Sequence, residues 1–251
     1  MVTEWFSLLV AVVSGVIAYF SARANFRHDL EKMQAQIDAQ RKAEEQDRIA
    51  DLRQRYLTPL RYYANTLSKR LGELETKFRS PEAERVRGWF KRLKDHVAGD
   101  RRMDDFGFWP YYEGIFSVST LYYACCYFFC AREIRYSQPF LRDSPAYNED
   151  LDKHLAAASA SFAGDVGIWE PLQEVIGERF AVDHARLSYE GMCRDLGSDE
   201  APRRGHYLRA LDFFWRHLTP EECIRIRNTL ESLVAFLDSR SPDGIERARP
   251  R

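Results

Sequence analysis

The chain has 251 residues, 45% hydrophobic and 30% charged, with a formal net charge of -1. That balance argues against a dedicated nucleic-acid binder, whose domain would be strongly basic, and the length allows one large domain or one domain with accessories. Five cysteines, three of them within residues 125–130, argue against a disulfide framework and point to a reducing compartment.

The first predicted element is directed at a membrane. Residues 5–22, WFSLLVAVVSGVIAYFSA, form an uncharged run near the lower limit for crossing a bilayer. No Lys or Arg precedes the run, whereas Arg23, Arg27, Lys32, Arg41 and Lys42 follow it. The positive-inside rule then predicts a single-pass anchor over 1–22, with its N-terminus outside and the rest of the chain in the cytoplasm. A cleaved signal peptide is the competing reading, but the positive n-region it needs is missing. Ala11, Ser14, Gly15, Ala18 and Ala22 fall near one helical face. Small residues at that spacing permit close helix–helix approach and so a homodimer within the membrane.

Residues 23–48 lack Pro and Gly and are rich in Gln, Ala, Glu, Lys and Arg. They predict a long polar helical stalk, about 40 Å if fully helical. Leu30, Met33 and Ile37 give one short apolar seam, too short for a sustained coiled-coil heptad.

A domain is predicted over 49–239. Ile49, Leu52, Tyr56, Leu60, Tyr63, Leu67, Leu71, Leu74 and Phe78 step by three and four along one helical face, with a kink predicted at Pro59. Ser80 and Pro81 open a second helix whose stripe is Val86, Trp89, Phe90, Leu93 and Val97. Its interspersed arginines and lysines fit a helix packed on the domain with a solvated basic face; a helix lying on an anionic membrane is the rival. Residues 106–112, FGFWPYY, form an aromatic turn.

The stretch 114–136, GIFSVSTLYYACCYFFCAREIRY, is apolar around nearly its whole circumference. A helix of that kind is buried in protein or in lipid. Mid-segment tyrosines, several hydroxyls and the trailing Arg132 and Arg135 favour protein over a second span. Its cysteines have neither a C-x-x-C spacing nor a matching pair elsewhere, so they read as core packing rather than a metal or redox site.

Further helices are predicted around Leu151, Leu155, Ala158 and Phe162, then around Trp169, Leu172, Val175, Ile176 and Phe180. Residues 196–205 form a loop, and two last helices follow, the second opened by a Thr219–Glu222 capping box. Residues 240–251 read as a flexible tail. With no alternating strand pattern and no repeat, the fold class is all-α: a transmembrane helix, a long helical stalk and a cytoplasmic multi-helix bundle.

No catalytic constellation stands out. The six histidines show no metal spacing, and no phosphate-loop, G-x-S-x-G or kinase signature is present. Arg203, Arg204 and His206, around Gly205, are the candidate anion-binding residues. No catalytic residue, metal or cofactor is assigned. The expectation is a membrane-anchored cytoplasmic interaction or sensing module, with membrane lipid, a protein partner and a second copy of the chain as partners and no nucleic acid. The alternatives are an enzyme or ligand-binding domain with its site between helices, and a membrane-acting effector such as a bacterial defence protein.

Overall fold

The computed structural model describes residues 30–47, 53–100, 103–137, 145–164, 167–182, 185–198 and 205–239, with isolated positions between 23 and 51. The chain divides into two compact units, Met1–Asp51 and Leu52–Arg251.

In the first unit, residues 30–47 form one helical stretch, about 27 Å long at 1.5 Å per residue and exposed throughout. The apolar seam of Leu30, Met33 and Ile37 stays in solvent. The expected single-pass architecture is corrected here. Among the described residues no helix is long and apolar enough to cross a membrane. The transmembrane, single-pass and membrane-localised descriptions therefore have no structural support, nor does a long stalk. The segment that carried the anchor, with Ala11, Ser14, Gly15, Ala18 and Ala22, lies outside the described residues.

The second unit is helical. A π-helical turn, Arg53–Leu57, leads into α1 (Thr58–Phe78), followed by α2 (Ala83–Ala98), a 3-10 turn at Trp109–Tyr111 and α3 (Ile115–Ser137). Next come α4 (Pro145–Ala163), α5 (Glu170–Arg179), strands β1 (Ala181–Val182) and β2 (Ala185–Arg186), and α6 (Tyr189–Gly197). A 3-10 turn at Gly205–Tyr207, α7 (Leu208–Asp212), a second π turn (Phe213–His217) and α8 (Pro220–Ser239) complete it. The antiparallel β1–β2 pair, which joins Ala181 to Arg186, corrects the strand-free expectation. Two-residue strands are too short to leave an alternating pattern in sequence.

The α1 pattern holds from Leu60 onward, and just ahead of Pro59 the helix changes from the π turn to α geometry. Pro59 sits in the first turn of α1, where its missing N–H costs little. Leu60, Leu67, Leu71 and Leu74 are fully buried and face Ile226, Leu230 and Leu233 of α8. The pair is antiparallel, because Arg61 near the start of α1 bonds Asp238 and Glu75 near its end accepts from Arg227 at 2.6 Å. Helix α2 buries Val86, Phe90, Leu93 and Val97 and ends at Gly99, whose left-handed φ of 85° suits a residue without Cβ. Its basic face is engaged within the protein: Arg87 donates to the Trp215 carbonyl at 2.9 Å, and Arg92 to Asp105 at 3.1 Å.

Helix α3 is the buried centre, packed by α1, α2, α5 and α6. Cys125, Cys126 and Tyr127 are fully buried. Its serine and threonine hydroxyls bond back to the preceding turn, Ser117 donating to the Gly114 carbonyl at 3.0 Å and Thr120 to that of Phe116 at 2.7 Å, whereas the buried Tyr127 hydroxyl has no hydrogen-bond partner among the described residues. Helix α4 turns Leu151, Leu155, Ala158 and Phe162 inward as expected. In α5 the inward set is corrected: Ile176 and Phe180 are buried, but Trp169 and Val175 face solvent. Gln173 takes the inward position and donates to the Ile168 and Ser159 carbonyls at 2.6 and 2.9 Å. The cap on α8 forms, Thr219 accepting from the Glu222 amide at 3.2 Å.

The α3–α5 seam depends on Gly177. A Cβ there would lie 2.9 Å from the Phe128 carbonyl oxygen and 3.2 Å from the Phe129 Cα, both backbone atoms with little room to move. Gly177→Ala should therefore destabilise the protein by a net ~1–2 kcal/mol in denaturant unfolding, although alanine favours a helix by about 1 kcal/mol. A stabilised variant would show that the two helices are not in backbone contact.

Candidate functional site

A concave site in the second unit opens between the first π turn, α1, α3 and β2, with a volume of about 660 Å³. That size suits an organic molecule rather than a single ion. The π turn contributes Gln54, Arg55 and Tyr56, and the first turns of α1 contribute Thr58, Pro59, Tyr62 and Tyr63. Phe129 and Cys130 of α3 and Arg186 of β2 also line it, and among the described residues the lining holds two arginines and no carboxylate.

Arg186 gives the site its character. The β-hairpin, held by the Leu187 amide bonding the Phe180 carbonyl at 2.8 Å, delivers it over two rings. Its guanidinium carbon lies 4.7 Å from the Tyr63 ring centroid and 5.7 Å from that of Tyr122. Its Nε is enclosed without a hydrogen-bond partner, and no ion pair answers its charge among the described residues. Burial pushes its pKa down, with Tyr62 acting weakly in the opposite sense. A guanidinium stays protonated regardless, so the site holds a partly desolvated cation that, among the described residues, is supported by aromatic faces. At the mouth Arg55 lies 5.5 Å over Tyr56, and Tyr62 meets Tyr63 edge to face with centroids 5.0 Å apart.

The thiol in this wall is inert. Burial pushes Cys130 up to about 12, so at neutral pH it is protonated and not a nucleophile. Cys125 and Cys126 are raised further by the same cause.

A second cleft of about 560 Å³ brings His96 and Cys193 to one wall. A Cys–His nucleophile needs a lowered thiol, and here burial raises Cys193, outweighing hydrogen bonds with Tyr111 and Tyr189. His96 has a packing role: Nδ1 accepts from the Met103 amide at 3.2 Å, and its ring stacks on Phe106 with centroids 4.2 Å apart.

Arg203 and Arg204 lie outside the described residues, and His206 sits in the 3-10 turn with its ring 3.9 Å from that of Tyr207. The Glu170 and Glu174 face of α5 is taken up by Arg135 of α3. Glu149 and Asp150 pair with Lys153 at 2.8 and 3.7 Å. Among the described residues no group of three His, Cys, Asp or Glu side chains is placed to hold a metal ion. Sequence reasoning missed Arg186; its only local signal is a lone cation in the short apolar run ARLSY.

The buried thiols set a pH dependence. Burial pushes Cys130 and Cys223 up to about 12 in the fold, against about 8.5 in an unfolded chain. Above about pH 8.5 the unfolded chain therefore loses protons that the fold retains, and stability falls as pH rises. Each such thiol contributes a decline of ~1.4 kcal/mol per pH unit until its folded value is reached. Urea unfolding between pH 7.5 and 9.5 should show this decline, and Cys130→Ala or Cys223→Ala should each make it shallower. Equal slopes in wild type and variants would contradict it.

Compared with protein-family models, curated proteins and solved structures, the chain finds no match in any of the three, so its function is argued from this geometry alone.

Proposed function

We propose that the Leu52–Arg251 unit is a binding and sensing module that takes a small organic anion between its helices, in the Arg186 pocket. The observation that carries this reading is Arg186 itself, a partly desolvated cation that no carboxylate answers among the described residues, on the wall of a cavity of about 660 Å³. Holding an unpaired cation out of water lowers stability, and a binding site is the usual place where a fold carries that cost. An anion on the guanidinium would restore the missing partner through charge-assisted hydrogen bonds.

Binding supports a sensing role because the lining comes from segments far apart in sequence. Residues 54–63, 129–130 and 186 would be held together by one occupant. A covalent role for the site lacks a nucleophile, since Cys130 is held as the thiol.

The test uses the full chain and Arg186→Met in a thermal-shift screen of small organic anions: alkyl and aryl carboxylates, sulfonates and phosphate esters. A ligand at a hundred times its Kd adds ~2.7 kcal/mol, about 5–10 °C for a domain of this size. At least one anion should shift the wild type by that order and leave Arg186→Met unmoved. Without ligand, the variant should be at least as stable as the wild type, because it replaces an unpaired cation by an apolar chain of similar length. A loss of about 2 kcal/mol or more would make Arg186 a structural residue. A screen in which no anion shifts the wild type would end the reading.

A further inference from the structure

We infer that the ligand of the Arg186 pocket is a monocarboxylate with an apolar body, its carboxylate on the Nη edge of Arg186 and its body against Tyr56, Tyr62 and Phe129. This inference rests on reading the pocket as an anion site and narrows it to one ligand class.

Charge matching is the first argument. Among the described residues of the lining one guanidinium, that of Arg186, is partly buried with its Nε enclosed, while Arg55 is exposed and lies over Tyr56. A carboxylate cancels a single enclosed cation, whereas a phosphate monoester near neutral pH brings up to two negative charges and would leave one buried without an answer. The available donors agree. A guanidinium edge is planar and matches the two oxygens of a carboxylate, but three phosphate oxygens call for further donors such as an open helix N-terminus. Helix α1 begins at this pocket without offering one. Leu57 ahead of it is already helical, at φ -74° and ψ -38°, and Pro59 in its first turn has no N–H.

The rest of the lining selects the body. Tyr56, Tyr62, Tyr63, Phe129 and Pro59 present rings, and Cys130 presents a neutral thiol that behaves as a small hydrophobe. Gln54 and Thr58 are the uncharged polar side chains of the lining, too few to solvate a polyhydroxylated ligand. The guanidinium carbon lies over the Tyr63 and Tyr122 rings and its Nε is enclosed, so the Nη end is the part left to meet a carboxylate.

The test is calorimetric titration of the full chain with two bodies, octyl and 3-phenylpropyl, each presented as carboxylate, primary amide and phosphate monoester. The expected order is carboxylate first, with amide and phosphate each at least tenfold weaker for at least one body. Arg186→Gln, checked for an unchanged melting transition, should shrink the carboxylate–amide ratio to below threefold. Tyr62→Ala should weaken the carboxylate and amide of one body by a similar factor. An amide that binds as tightly as its carboxylate overturns the inference while leaving the pocket as a binding site. Phosphate binding tighter than carboxylate overturns the class and leaves the anion reading intact. If neither body binds in any form while other anions of the thermal-shift screen do, the inference alone fails; if no anion binds at all, both fail.

Discussion

A helix without a polar face is stable only when protein surrounds it, and α3 imposes that requirement on the rest of the second unit. Residues 115–137 put Val118, Leu121, Cys125, Tyr127 and Phe128 on different sides of one cylinder, and all are buried. Covering a single stripe would take one partner helix. Covering the whole circumference takes several, which is why α1, α2, α5, α6 and the first π turn all pack on α3. Ser117 and Thr120 bond backward along the helix, so burial leaves these hydroxyls satisfied without calling on the neighbours.

The covering is not equally tight everywhere. On the α5 side the backbones themselves meet, at Gly177 against Phe128. Such close approach places the end of α5 directly over α3, and the chain then has to reverse before α6 can cover the next sector. The β1–β2 hairpin makes that reversal, and its second strand carries Arg186 to the seam between α1 and α3. The position of the cation thus follows from how α3 is enclosed. Phe129 and Cys130, at and directly after the tightest contact, are also the part of α3 that the pocket leaves lined rather than filled.

Much of this architecture was legible in the sequence, for a definable reason. Steps of three and four identified the buried faces of α1, α2 and α4, and hydrophobicity all round identified α3, because burial writes itself into apolar periodicity. Trp169 and Val175 misled for the same reason: the inward position of α5 is held by Gln173, whose amide serves two carbonyls, and no hydrophobic count reveals that. The uncharged run at 5–22 suggested a membrane span by length and charge asymmetry, while no described helix meets that requirement. The candidate site was not legible at all. Tyr63 and Arg186 are 123 positions apart in number, and only the hairpin, too short to show a strand pattern, brings them together.

Several partly buried cations of this unit show how Arg186 differs from them. Arg135 is held by Glu170 and Glu174, Arg227 by Glu75, and Arg87 by backbone carbonyls of the second π turn and the residue after it. Asp212 is shared among Lys94, Arg209, Arg216 and His217. In each case the fold supplies oxygen to positive charge, including at positions more exposed than Arg186, where water would have served. At Arg186 it supplies two tyrosine rings, which attract a cation weakly and cannot neutralise it. A sequence selected for stability alone has easy remedies there, a glutamate at position 54 or a methionine at 186 among them. Retaining the cation beside an open cavity is economical only if the missing negative charge arrives from outside the chain, which is the physical content of calling this pocket a binding site.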